Sequence, residues 1–170
     1  MTIAQALLPE FDQEMTATRK LLERVPGDRF DWSPHEKSMT LGRLASHLAE
    51  LPMWTAVTLE QDEFDMNPPE GEQQWESPQP ASVREILELF DRNAAEAREK
   101  IASAGDATFF AHWSLKSGGE TLFAMPKMGV IRNFVLNHGI HHRGQLSVYL
   151  RLLDVPVPQT YGPTADEPDF

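Results

Sequence analysis

The chain has no cysteine. That absence removes disulfides, thiolate zinc sites and a cysteine nucleophile, and it fits a reducing cytoplasm, the compartment expected here. Cations are scarce as well. Fifteen Lys and Arg stand against 26 Asp and Glu, which gives a net charge of −11 and a pI near 4.9. Between Arg43 and Arg84 there is no Lys or Arg at all, while Glu50, Glu60, Asp62, Glu63, Asp65, Glu70, Glu72 and Glu76 all fall there. A chain this acidic lacks the cationic surface that neutralises phosphates, so neither nucleic acid nor an anionic membrane is an expected partner. No apolar run approaches the roughly 18–20 residues of a membrane span. The opening MTIAQALLPEFDQEMTATRK also lacks the basic region and apolar core of a signal peptide.

What is present is helical periodicity over a single domain, residues 1–170, long enough to bury roughly 70% of the unfolded chain's surface. A first helix is expected from about Thr2 to Val25, with Leu7, Phe11, Leu21 and Leu22 on its apolar stripe. A second begins at Ser38 or Thr40, turns Leu41, Leu44, Ala45 and Leu48 inward, and is interrupted by Pro52. A third is capped by Ser82 with Glu85 three residues on, and carries Val83, Ile86, Leu87, Phe90, Ala94, Ala97 and Ile101. A fourth runs from Pro126 to about Leu153. Residues 60–81 are acidic and proline-rich and read as a long crossover loop. Ser117-Gly118-Gly119 reads as a small hairpin or a plain loop, and the proline-rich tail from Val155 as an extended segment. These elements predict an all-α fold, a four-helix bundle with one long crossover between helices two and three.

The histidines carry the chemistry. On a wheel of about 100° per residue with His138 at zero, His142 falls near +40°, Gln145 near −20°, Tyr149 near +20°, and Phe134 and Leu152 near −40°. His138 and His142 therefore share the expected buried stripe, and an i, i+4 pair on one helix face is a two-toothed metal clamp. The competing account is a pair of core histidines bonded to buried carboxylates or carbonyls. His47, one turn from Leu44 and Leu51, is a third inward candidate, and three imidazoles would leave coordination positions open, as catalytic sites do. Glu50 is read as an acidic surface residue in preference to an orienting partner of His47. His35, in a loop, and His112, in the hairpin segment, are assigned surface or structural roles, and His141 sits at the stripe's edge. Gln145 is a candidate to bond a metal-bound ligand or to bond within the core. Trp54 and Tyr149 are candidates for a pocket wall or for plain core, and Arg143 for pairing with a carboxylate or the tail.

Three stretches taken together resemble the DinB/YfiT-like superfamily: WSPHEKSMTLGRLASHLAEL (32–51), MPKMGVIRNFVLN (125–137) and NHGIHHRGQLSVYLRLLDVPVPQTYGPTADE (137–167). The resemblance implies a four-helix bundle that holds a divalent metal through His47, His138 and His142, and it implies a homodimer. It implies kinship with thiol-dependent S-transferases and isomerases, so that a low-molecular-weight thiol, activated as a thiolate, would attack a small electrophilic substrate. A metal-dependent hydrolase and a non-catalytic, stress-associated metal-binding dimer are the alternatives. Imidazole ligation suits Zn, Ni, Fe or Cu without choosing among them. The fourth helix, from Pro126 to Leu153, carries Lys127, Arg132, Arg143 and Arg151 and no acid, so a substrate is expected to meet a locally cationic helix.

Overall fold

A computed structural model of the protein describes residues 1–69, 71 and 74–169. The first helix, α1, runs over Ile3–Leu22, and its start is closed by a reciprocal pair: Thr2 accepts from the Gln5 amide while the Gln5 side chain accepts from the Thr2 amide. Thr40 caps the next helix by accepting from Arg43, so α2 spans Leu41–Glu50. Pro52 breaks the helix as its missing amide requires, and α3 resumes over Met53–Glu60. Ser82 accepts from Glu85 to open α4, Val83–Ser103, and a short α5, Asp106–Phe110, follows. Among the described residues no helix is long and apolar enough to cross a membrane.

The expected all-α, four-helix bundle is corrected at this point, because the protein also contains a three-stranded mixed sheet in the order β1–β2–β3. Strands β2, His112–Ser117, and β3, Glu120–Pro126, form an antiparallel hairpin. Gly118 and Gly119, both at positive φ (62° and 82°), make the two-residue turn that matches strand twist. Strand β1, Glu63–Asp65, lies parallel to β2 inside the stretch read as crossover loop. Its register is pinned by Asp65, whose carboxylate accepts from the amides of Gly118, Gly119 and Asn67. Those bonds, led by Gly119, hold the Asp65 carboxyl below its ordinary range against the desolvation that would raise it. Glu70 and Glu72 of that acidic stretch lie outside the described residues.

The fourth expected helix is also corrected. Pro126 ends β3, and the helix begins as α6, Lys127–Val130, passes through a π-helical segment at Ile131–Asn137, and continues as α7, His138–Leu152. Bonding from i to i+5 widens the turn and breaks the 100° phase. Phe134, placed on the buried stripe by the wheel, is 39% exposed instead, and Leu152 at the helix end is 58% exposed. The buried face of α7 is made by His142, Leu146, Tyr149 and Leu150, with Arg143 beside them. His138 is half-buried at the edge of that face, not at its middle.

Arg143 is nonetheless buried, on a second side of the helix. It donates to the Glu14 carboxylate at 2.6 Å, to the Glu14 carbonyl at 3.0 Å and to the Thr18 hydroxyl at 3.3 Å. Tyr161 of the tail donates to the same carboxylate at 2.8 Å and lays its ring 4.9 Å from the guanidinium carbon. The tail is therefore extended, as expected, and fastened. Asp166 pairs with Arg151 and accepts from the Val157 amide, and Glu167 pairs with Arg24.

Removing Arg143 leaves the buried Glu14 carboxylate without a compensating charge, held by the Tyr161 hydroxyl alone among these partners, so Arg143→Ala is expected to cost about 3–5 kcal/mol in urea unfolding. Burial and the bond to Glu14 push the Tyr161 phenol up to about 12. A raised value means the phenol's contribution is complete below its ordinary value near 10. It fades as pH rises through the folded-state value. Absorbance titration should show a tyrosinate step near pH 12 that Tyr161→Phe removes.

Candidate metal centre

Two elements bring three imidazoles together. His47 comes from α2, one turn from Leu44 and Leu51, and His138 and His142 from successive turns of α7. The Nε2 atoms of His47 and His138 are 3.4 Å apart, and those of His138 and His142 are 2.6 Å apart. The His47 and His142 ring centres lie 4.6 Å from each other. These three are a group whose nitrogens could hold one metal ion.

Each ring is held from behind. His47 Nδ1 donates to Glu50 at 2.7 Å, His142 Nδ1 donates to the Gln145 side-chain oxygen at 2.7 Å, and His138 bonds the Phe134 carbonyl. With the Nδ1 atoms of His47 and His142 acting as donors, the Nε2 atoms of those neutral rings present lone pairs towards the Nε2 of His138. Burial, aided by the neighbouring imidazoles, holds His138 below its usual value and drives His142 down to about 4. Protons therefore do not fill the gap at neutral pH. A divalent cation does fit. Three nitrogens at tetrahedral angles and about 2.0–2.1 Å from one ion stand about 3.3 Å apart, so the 3.4 Å pair is already spaced for it and the closer pair needs to open by about 0.7 Å.

Glu50, read from the sequence as a surface residue, is 4% exposed and orients His47. Its side chain is also 3.5 Å from Arg43, which offsets the cost of burying the carboxylate. Gln145 is exposed and bonds His142, a role different from both of those expected. Such outer partners fix ring orientation and tautomer. His35 and His112 are exposed and take no part, and the exposed His141 only places its ring 4.9 Å from that of His142.

A half-open cavity of about 210 Å³ adjoins the cluster, with His47 and His138 in its lining. Trp54, Leu51, Val130 and Phe134 form its helical side. The opposite side comes from the sheet: Trp113 and Leu115 of β2, Phe123 of β3, and Met66 just after β1. These residues carry no assignment in the sequence reading, which took their segments as a small hairpin or plain loop and as a crossover loop. Tyr149 does not reach the cavity. It is core, edge-on to Trp32 at 5.5 Å and donating to the Met39 carbonyl. The locally cationic helix is not realised either. Lys127 pairs with Asp62, Arg132 with Glu10, Arg143 with Glu14 and Arg151 with Asp166.

Comparison with known proteins concerns the chain's family and fold. A model of the DinB family matches residues 1–169. The uncharacterised protein YrdA of Bacillus subtilis is 27% identical over 161 residues, which span 94% of this chain and 89% of YrdA. A solved DinB-like protein from Bacillus cereus superposes with a TM-score of 0.70 at 22% identity, covering 94% of this chain and 98% of its own. The DinB-like protein YjoA from Bacillus subtilis gives 0.68 at 16% identity, with coverage of 91% and 97%. At these identities the structural likeness concerns the fold.

A metal that binds only the folded protein stabilises it by about 2.7 kcal/mol at a hundredfold excess over its Kd. For a chain of this size that corresponds to a rise in Tm of about 5–11 °C, which calorimetry with added Zn or Ni would read. His142→Ala is expected to abolish the rise. Glu50→Gln is expected to weaken metal binding by about 10–100-fold in a competition titration while the fold persists.

Proposed function

Given that the chain belongs to the DinB family, we propose that it is a divalent-metal-dependent enzyme of thiol S-transferase type acting on small electrophilic molecules, with His47, His138 and His142 holding the ion. The observation that carries this reading is the convergence of three outward-braced imidazoles at an apolar cavity. Three neutral imidazoles leave a divalent ion its full charge, so when bound it supplies a Lewis acid strong enough to draw off a thiol proton near neutral pH. The chain's own residues do the rest. Glu50, the Phe134 carbonyl and Gln145 keep the three rings aimed inward. Trp54, Phe123 and Phe134 exclude water from the side on which an electrophile would approach.

The lining also suits an apolar electrophile, because among the described cavity residues the histidines are the sole titratable side chains.

Metal analysis of the purified protein, followed by conjugation of glutathione, bacillithiol or mycothiol to benzyl bromide with release of bromide, tests the reading. Activity should vanish on chelation and return with one equivalent of metal, and His142→Ala should fall to the uncatalysed rate. A metal-loaded protein that conjugates none of these thiols to this or any other reactive electrophile would defeat the transferase assignment.

A further inference from the structure

We propose, resting on the reading above, that the cavity takes a small uncharged aromatic molecule, about a benzene ring with one short substituent, and that this is the class of electrophile the site accepts. Size sets the first limit. An apolar cavity of roughly 150 Å³ already holds benzene, and this one measures about 210 Å³. A ring with two or three further heavy atoms fits within that volume.

Polarity sets the second limit. Apart from the two histidines, the lining is entirely Leu, Val, Met, Phe and Trp. The nearest concentration of positive charge in the sequence, on the helix from Lys127 to Leu152, is consumed by Asp62, Glu10, Glu14 and Asp166. A carboxylate entering the cavity would lose its hydration and find no protein cation in return, a strongly unfavourable exchange. Shape sets the third. Phe123 and Phe134 hold each other as a stacked pair at 5.0 Å and 11°, and Trp54 is fixed in place by edge-on contacts with Phe64 at 4.9 Å and Trp75 at 5.5 Å. Flat, fixed aromatic faces favour a flat aromatic guest.

Acetophenone and benzoate have the same number of heavy atoms and differ in charge, so they make the test. Isothermal calorimetry on protein stripped of metal, so that no ion can draw in a carboxylate, should show saturable one-to-one binding of acetophenone, with benzoate at least about tenfold weaker. Leu115→Trp, which fills the cavity from β2, should abolish acetophenone binding and leave metal content unchanged. Met66→Lys, which swaps a thioether for a cation of similar length, should reverse the preference towards benzoate. Equal or tighter binding of benzoate by the wild type overturns the proposal, and so does acetophenone binding that survives Leu115→Trp. Elemental analysis of the protein as purified separates the two readings. Protein that holds no metal as purified and takes none up, yet binds acetophenone, removes the enzymatic reading and leaves the cavity's ligand class standing.

Discussion

Imidazole nitrogens with their lone pairs turned towards one another repel, and the rest of the site is organised to keep them there. Glu50 is buried within α2 to brace His47, at the cost of desolvating a carboxylate that Arg43 partly offsets. Gln145 braces His142 from the solvent side. The bond from His138 to the Phe134 carbonyl reaches back into the π-helical turn, where backbone carbonyls are not arranged in the regular i to i+4 ladder. A cation held among the three imidazoles would convert mutual repulsion into shared attraction.

The π-helical segment has a second effect. By widening one turn just before His138 it rotates α7 relative to α6, so that His138 comes to the edge of the buried face and Phe134 to the cavity rim. On a regular helix both would sit in the middle of the core stripe. A histidine in the middle of a core can be satisfied by neighbours, whereas one at its edge can meet an incoming molecule.

This explains what the sequence made legible. His47, His138 and His142 were legible because residue spacing alone puts an i, i+4 pair on one helix face, and one extra residue in a preceding turn does not disturb that pair. The helix caps at Thr2, Thr40 and Ser82 were legible for the same local reason. Strand β1 was not, since three residues are too short to show a period of two, and its place is set by Asp65 reaching the turn at Gly118 and Gly119 more than fifty positions away. Glu50 looked like one more acid in an acidic stretch, and only the tertiary fold shows that it is enclosed. Arg143 was correctly read as a partner for a carboxylate or the tail, and it takes both through Glu14 and Tyr161.

The division of the cavity between two kinds of element has a consequence for how such a protein can diversify. Helices α2 and α7 supply the nitrogens, and β2, β3 and the residue after β1 supply the facing side. Strand residues there are tied to the helices by shape alone, without a hydrogen bond or charge linking Leu115, Phe123 or Met66 to any histidine. Natural variation can therefore rewrite the facing side freely, altering the shape of the cavity, while the three nitrogens stay in place. One fold of this kind can present many differently lined cavities to the same histidines.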